Sequence, residues 1–281
     1  MMNRILVAGM PSSGKSTYIA ALRHVLVANE ISCVLELVGL SPEESHLNRL
    51  ELDWVDGKMV QRTQSASETW VELQIRDRTT QESIVLALPD LKGESFEQPA
   101  TLGHLQDDLQ KELEAASSVM LFTSADREDD KLLISDIADI LDNSDDTDVP
   151  GQPFDAREMP EEVKIVELLQ FANRRPRLSR QRKLALIVSA WDVVADCAQT
   201  EPYYWLATNC AMLEQFLRFN SHLWDVRVYG ISAQGGRLPE DRERLMKISK
   251  PSERIKVVGH GAEQHDITAP LRWLIASQHP S

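Results

Sequence analysis

The sequence predicts an α/β fold: a mostly parallel sheet with helices on both faces, one antiparallel hairpin strand and an acidic insertion. Short apolar runs alternate with segments of helical periodicity along most of the chain. Several of these runs are apolar at every position, which is typical of parallel strands buried on both faces. A glycine-rich loop joins the first strand to the first helix. The 281 residues fit a single domain over 1–281 with an insertion at 125–158.

Composition and charge exclude several functions. A net charge of −14 argues against nucleic acid as a partner, because its phosphates attract basic surfaces. No apolar run is long enough to span a membrane, and the first one continues into the glycine-rich loop, unlike a signal peptide. Cys33, Cys197 and Cys210 lack metal-ligand spacing and suit reduced thiols. We therefore expect a cytoplasmic protein.

The first part of the chain predicts a strand ending at Gly9 and a helix over 15–29, where apolar residues recur at helical spacing. Residues 31–38 are rich in β-branched side chains and predict a strand. A capping box with proline at the first helical position opens a helix that continues to Val55, and Gly57 ends it.

The next part predicts the hairpin and the centre of the sheet. Residues 70–76 alternate polar and apolar, and a short polar turn leads to a second strand at 83–88. A helix over 102–115 and a buried strand over 118–122 follow. The acidic insertion then contains one predicted helix before a disordered acidic tail.

The last part continues the same alternation. The sequence predicts an amphipathic helix over 159–172, and an arginine-rich cluster follows it. More strands and helices are predicted after this cluster. These are a buried strand at 184–188, a helix at 203–219, a strand at 226–231, an irregular polar stretch at 237–266 and a helix at 269–276.

The glycine-rich loop carries the clearest chemical signal. From Gly9 to Ser16 it matches G-x-x-x-x-G-K-[ST], the pattern of a phosphate-binding loop at a helix N-terminus. Its binding residues are Gly9, Ser12, Ser13, Gly14, Lys15, Ser16 and Thr17. Lys15 is expected to reach the β- and γ-phosphates, and the Ser16 hydroxyl to ligate Mg²⁺. Pro11 has no N–H, so the cradle must come from the amides of 12–17.

The later strand ends carry further motifs. Asp90-Leu91-Lys92-Gly93 follows the second hairpin strand, Ser189-Ala190-Trp191-Asp192 follows the strand at 184–188, and Ser232-Ala233-Gln234 follows the strand at 226–231. Open α/β sheets bind ligands at such strand ends. A carboxylate at Asp192 can accept the N1–H and N2–H₂ groups of guanine, a donor pair that adenine lacks.

In their order, these motifs resemble those of P-loop GTPases of the Ras-like, translation-factor-related class. With Gly57, Arg62-Thr63 and the final Pro270-Leu271-Arg272-Trp273-Leu274, the pattern is similar to bacterial double-GTPase-type proteins of phage-conflict gene clusters. The resemblance implies a P-loop NTPase sheet binding GTP or GDP with Mg²⁺. It also implies a protein partner, a second GTPase or an effector from the same gene neighbourhood.

The resemblance also implies roles on the phosphate side. Thr63 is similar to the switch I threonine. Ser16, Thr63 and Asp90 correspond to the family's Mg²⁺-binding residues. The Gly93 amide would contact the γ-phosphate and so sense its presence. Glu94 stands where many GTPases carry a water-orienting glutamine, and its repulsion from the γ-phosphate predicts slow hydrolysis. Arg62 is either an arginine finger or a solvated loop residue.

On the base side, Asp192, Ser232 and Ala233 are the expected guanine-binding residues. Ala190 replaces the family's base-covering lysine, and Trp191 either stacks on the base or packs in the core. We therefore predict a magnesium-dependent GTP-binding protein that hydrolyses GTP slowly and switches a partner. Two alternatives are an ATP-using P-loop ATPase or kinase and a hydrolysis-deficient, nucleotide-binding scaffold.

Overall fold

The computed structural model describes residues 3–39, 44–60, 71–89, 93–127, 159–174 and 181–276. Arg62, Thr63, Asp90 and most of the acidic insertion lie outside these ranges. Within them, no helix is both long and apolar enough to cross a membrane.

One eight-stranded sheet forms the centre of the molecule, in the strand order β2-β3-β4-β1-β5-β6-β7-β8. The strands are β1 (Asn3–Gly9), β2 (Leu35–Gly39), β3 (Val71–Asp77), β4 (Ser83–Leu88), β5 (Ser118–Ser124), β6 (Arg182–Ser189), β7 (Trp224–Ser232) and β8 (Lys256–Val258). The five strands from β4 to β7 are parallel, β3 and β4 form the expected antiparallel hairpin, and β2 and β8 are antiparallel edge strands. The predicted α/β class is confirmed.

Nine α-helices lie within the described residues. They are α1 (Lys15–Ala28), α2 (Glu44–Val55), α3 (Gln98–Leu102), α4 (Asp107–Ala115), α5 (Glu161–Asn173), α6 (Pro202–Asn209), α7 (Ala211–Phe219), α8 (Arg242–Met246) and α9 (Ala269–Ile275). Short 3₁₀ turns at Glu94–Glu97, Trp191–Val193 and Pro251–Arg254 connect some of them.

Side-chain alternation along β1 separates the two halves of the core. Ile5 and Val7 pack with α1, α2 and α9, whereas Leu6 and Ala8 pack with α4 to α7. Because both faces of β1 are covered by helices, its residues from Ile5 to Ala8 are apolar without interruption. The C-terminal end of β1, and the loop that follows it, therefore lie near the middle of the sheet, on the side where the parallel strands end.

The bounds of two predicted helices are corrected by the structure. The helix predicted over 102–115 begins only at Asp107, because Gly103, with φ of +70°, ends α3 at Leu102. Helix 203–219 is broken at Cys210, where φ is −138°. The break at Cys210 frees amides at the start of α7, and a Glu162 carboxylate oxygen accepts the N–H of Met212 at 3.0 Å.

The expectation of an irregular stretch over 237–266 is wrong in part. This stretch contains α8, a 3₁₀ turn and the short strand β8, which pairs antiparallel with β7 between Gly230 and Val258. A three-residue strand has too few positions to show a period of two, so its pairing depends on the neighbouring strand.

Candidate nucleotide-binding site

The loop between β1 and α1 requires glycine at two positions. Gly9 has φ of +153° and Gly14 has φ of +87°. A Cβ on Gly9 would lie 2.8 Å from the carbonyl oxygen of Phe122, and one on Gly14 would lie 2.6 Å from Oγ of Ser189. The loop is thus pressed against the ends of β5 and β6, and only glycine fits these backbone positions without strain.

Lys15 is buried under this loop. Its Nζ donates hydrogen bonds to the carbonyl oxygens of Gly9 at 2.7 Å and Met10 at 2.8 Å, and to Oγ of Ser13 at 3.3 Å. These are neutral acceptors for a charged ammonium group. A phosphate oxygen is a stronger acceptor for this cation, because both groups are then charged.

The first turn of α1 faces the cleft beside the loop. Gly14 is its N-cap, no side chain among the described residues caps it, and its first turn holds no acidic residue. The first four amides of a helix lack intrahelical partners and carry the positive end of the helix dipole. Ser16 and Thr17, both partly exposed, stand in this turn. The arrangement is suited to binding an anion.

Gly93 lies directly against the phosphate loop. A Cβ at this position would be 2.6 Å from Nζ of Lys15 and 2.6 Å from the carbonyl oxygen of Gly9. Its φ is +87°, and it caps the 3₁₀ turn that begins at Glu94, an exposed residue. The chain that follows β4 therefore approaches Lys15 so closely that no side chain fits at Gly93 without a shift of its neighbours.

The other end of the site is formed after β6 and β7. The hydroxyl of Ser232 donates a hydrogen bond to Oδ1 of Asp192 and accepts the N–H of Gly235 at 3.0 Å. Ala233 follows, and its carbonyl accepts Nε1 of Trp54 at 3.0 Å. The Asp192 carboxylate is therefore oriented by a neighbouring strand end.

A cleft of about 590 Å³ joins the phosphate loop to these strand ends. Sequence-predicted residues that line it are Ser12, Gly14, Thr17, Asp192, Ser232 and Ala233. The structure places Gly9, Ser13, Lys15, Ser16 and Gly93 in or against the adjacent phosphate loop. Thr63 and Asp90 lie outside the described residues.

Sequence reasoning missed several residues of the cleft wall. They are Lys58, Met59 and Val60 after α2, Asp126 after β5, and Arg237, Leu238 and Glu240 after β7. No motif marks these positions, because they belong to loops that reach the cleft through tertiary packing. Arg237 and Asp126 form an ion pair of 2.9 Å at the cleft wall, and both are more than half exposed, so it contributes little to stability.

Trp191 is a packing residue. It is 1% exposed, and its Nε1 donates to the carbonyl oxygen of Cys197 at 2.7 Å. A Cβ at Gly230 would lie 2.2 Å from a ring carbon, so the indole covers β7 at that point. The base-stacking alternative for Trp191 is therefore wrong in this conformation.

The described residues fit the Mg²⁺ site of a phosphate loop. They contain no cluster of three or more His, Cys, Asp or Glu side chains that could hold a metal alone. Ser16 is partly exposed in the first turn of α1 and follows the buried Lys15 in the sequence. An ion held here would take ligands from Ser16 and from phosphate oxygens, the way Mg²⁺ is bound with nucleotides.

A phosphate loop after a central parallel strand, a glycine pressed against its lysine and an oriented aspartate two strands away are the features of a P-loop nucleotide-binding protein. The sequence model of Double-GTPase 1 matches residues 6–274, and the chain belongs to this family. Membership indicates GTP and GDP as its nucleotides.

Solved structures align with this chain at low identity and with low TM-scores. The Ski7 GTPase-like domain of S. cerevisiae, bound to GDP and inorganic phosphate, is 16% identical over 98% of this chain and 49% of that chain, with a TM-score of 0.47. The SRb-GTP/SRX complex of Chaetomium thermophilum is 13% identical over 88% of this chain and 97% of that chain, with a TM-score of 0.43.

The same Ski7 domain in its GTP-bound structure is 15% identical, and this chain spans 44% of that chain's length. No curated protein sequence gives a significant match.

Proposed function

We propose that this protein binds GTP with Mg²⁺, hydrolyses it slowly, and acts as a nucleotide-controlled switch on a protein partner. The contact of Gly93 with Lys15 and Gly9 supports this proposal most directly. It brings the segment after β4 to the place where a γ-phosphate would meet Lys15. A backbone so close to the phosphate loop would change its contacts when the terminal phosphate is lost.

The chain's own residues would divide the work between charge and position. Lys15 would exchange the carbonyls of Gly9 and Met10 for phosphate oxygens, and the α1 amides would hold the same anion. Ser16, together with Thr63 and Asp90, would hold Mg²⁺, which would supply positive charge against the phosphate oxygens. Glu94 is exposed beside Gly93, and its carboxylate would repel the γ-phosphate and slow the attack of water.

Guanine would be selected at the other end of the cleft. Ser232 holds one oxygen of Asp192, and the carboxylate would accept the paired donors of guanine. Adenine offers no such pair, so ATP should bind much more weakly. A second GTPase or an effector encoded nearby is the proposed partner, with a role in bacterial antiphage defence; the resemblance of the sequence motifs to double-GTPase-type proteins supports this.

The test is calorimetry of the purified protein with GTP, GDP and ATP, with Mg²⁺ and with EDTA, followed by phosphate release from GTP. We expect Mg²⁺-dependent GTP binding, ATP binding at least a hundredfold weaker, and slow phosphate release that Lys15→Ala abolishes. Equal affinity for ATP would favour the ATP-using enzyme. Tight GTP binding without phosphate release would favour the scaffold.

A further inference from the structure

The base end of the cleft lacks the side chain expected to cover a purine. Ala190 presents only a methyl group, in a left-handed conformation with φ of +51°. Trp191 is committed to the core. Gln234 turns its side-chain amide inward, where both polar atoms are buried and have no hydrogen-bond partner among the described residues. A base held at its edge by Asp192 would need its face covered from elsewhere.

The end of α2 is anchored at this part of the cleft by three hydrogen bonds. Nε1 of Trp54 donates to the Ala233 carbonyl at 3.0 Å. Arg254 donates to the carbonyl of Val55 at 2.9 Å, and Arg242 donates to the carbonyl of Asp56 at 3.1 Å. The residues that follow are thereby held beside the loop that carries Ser232 and Ala233.

Met59 is the apolar side chain that this anchoring presents to the cleft. It lines the cleft and is 68% exposed, the highest value among the large hydrophobic residues at its wall. Its neighbour Lys58 is paired with Asp56 at 2.7 Å. An unbranched thioether adapts to an aromatic ring and makes favourable sulfur contacts with it.

We infer that Met59 covers the purine ring of the bound nucleotide in place of the lysine missing at Ala190. This inference rests on the proposed function and identifies a base-binding residue of the same site. Met59 would contact a part of the ligand that GTP and GDP share, and it would not contact the phosphates. It stands four residues before Thr63, so the base contact borders the segment expected to sense the γ-phosphate.

The test compares wild type with Met59→Ala, Met59→Leu and the control Leu52→Ala. Leu52 is on α2, is 63% exposed and is not among the residues that line the described cleft. Dissociation constants are measured by calorimetry for GTP, GDP and tripolyphosphate, with melting temperatures for each variant. Tripolyphosphate carries no base and reports the phosphate loop alone.

We expect Met59→Ala to raise the dissociation constants of GTP and GDP by the same factor, about tenfold, without changing that of tripolyphosphate. Met59→Leu should recover most of the loss, and Leu52→Ala should bind like wild type. Unchanged GDP affinity in Met59→Ala, or an equal loss in Leu52→Ala, would overturn the inference while the proposed function stood. If wild type binds tripolyphosphate but neither GTP nor GDP more tightly, both the inference and the proposed function are overturned.

Discussion

The hydroxyl of Ser232 donates to Oδ1 of Asp192, so the end of β7 orients a carboxylate that follows β6. The same hydroxyl accepts the Gly235 amide at 3.0 Å, which fixes its rotamer. The second carboxylate oxygen of Asp192 does not take part in this bond. The proposed selection of guanine would therefore depend on both strand ends.

Asp192→Asn should shift base preference from guanine towards xanthine. The amide turns one acceptor into a donor, which matches the C2 carbonyl of xanthine and repels the guanine amino group. We expect GTP affinity to fall at least tenfold and xanthosine triphosphate affinity to rise, by competition binding. Asp196→Asn, four residues along the chain and outside the described cleft lining, is the control. Retained guanine preference in Asp192→Asn would contradict the assigned role.

Lys15→Ala should weaken GTP binding by about 1.5–3 kcal/mol or more, the value of a hydrogen bond to a charged group. The variant also leaves the carbonyls of Gly9 and Met10 without their ammonium partner, so its melting temperature must be measured alongside its affinity. Lys111→Ala is the control, because that lysine is exposed and paired with Asp108 on α4. Unchanged calorimetric affinity in a folded Lys15→Ala would contradict the prediction.

Gly93→Ala should impair GTP binding more than GDP binding. The added Cβ would lie 2.6 Å from Nζ of Lys15, so the loop must withdraw from the position of the γ-phosphate. Gly103→Ala is a matched control, since its φ is also positive, at +70°, but nothing lies within 4 Å of the added Cβ. Both changes carry left-handed strain of about 1–2 kcal/mol. Equal GTP-to-GDP affinity ratios in the two variants would contradict the prediction.

Hydrogen exchange should reveal the switch. We expect residues 56–68 and 90–100 to be better protected with a non-hydrolysable GTP analogue than with GDP, because Thr63 and Gly93 would bind only the γ-phosphate. Identical protection in the two nucleotide states would favour the scaffold.

Glu94→Gln should leave GTP affinity nearly intact and alter the rate of phosphate release, because it removes a charge near the γ-phosphate.

His260 should make stability depend on pH below about 6.5. Burial, followed by the positive charge of Arg227, lowers the pKa of this imidazole, and its Nε2 accepts the Val228 amide at 3.2 Å. Since the unfolded chain binds the proton more readily, the full stability is present above the unfolded pKa near 6.5 and declines as pH falls towards the folded pKa. His260→Asn keeps a residue that tolerates φ of +51° and should flatten the melting temperature between pH 7.5 and 5.5. An unchanged slope would contradict this assignment.

The sequence by itself determined the elements whose signals are local. The run from β1 through Gly9 to Ser16 specifies a strand, a loop and the start of a helix from adjacent residues alone. This is possible because a glycine's backbone conformation and the free amides of a helix start are local properties of the chain. The proximity of Asp192 and Ser232 was predictable because parallel strands end at a common edge of the sheet.

Only the tertiary structure decided the features that depend on distant partners. Helical periodicity continues through Cys210, yet the helix breaks there, and Glu162, from another helix, accepts the freed N–H of Met212. Met59 reaches the cleft through contacts such as the bond of Trp54 to Ala233, 179 residues further along the chain. Such contacts form when the sheet brings the segments together, and no local pattern in either segment encodes them.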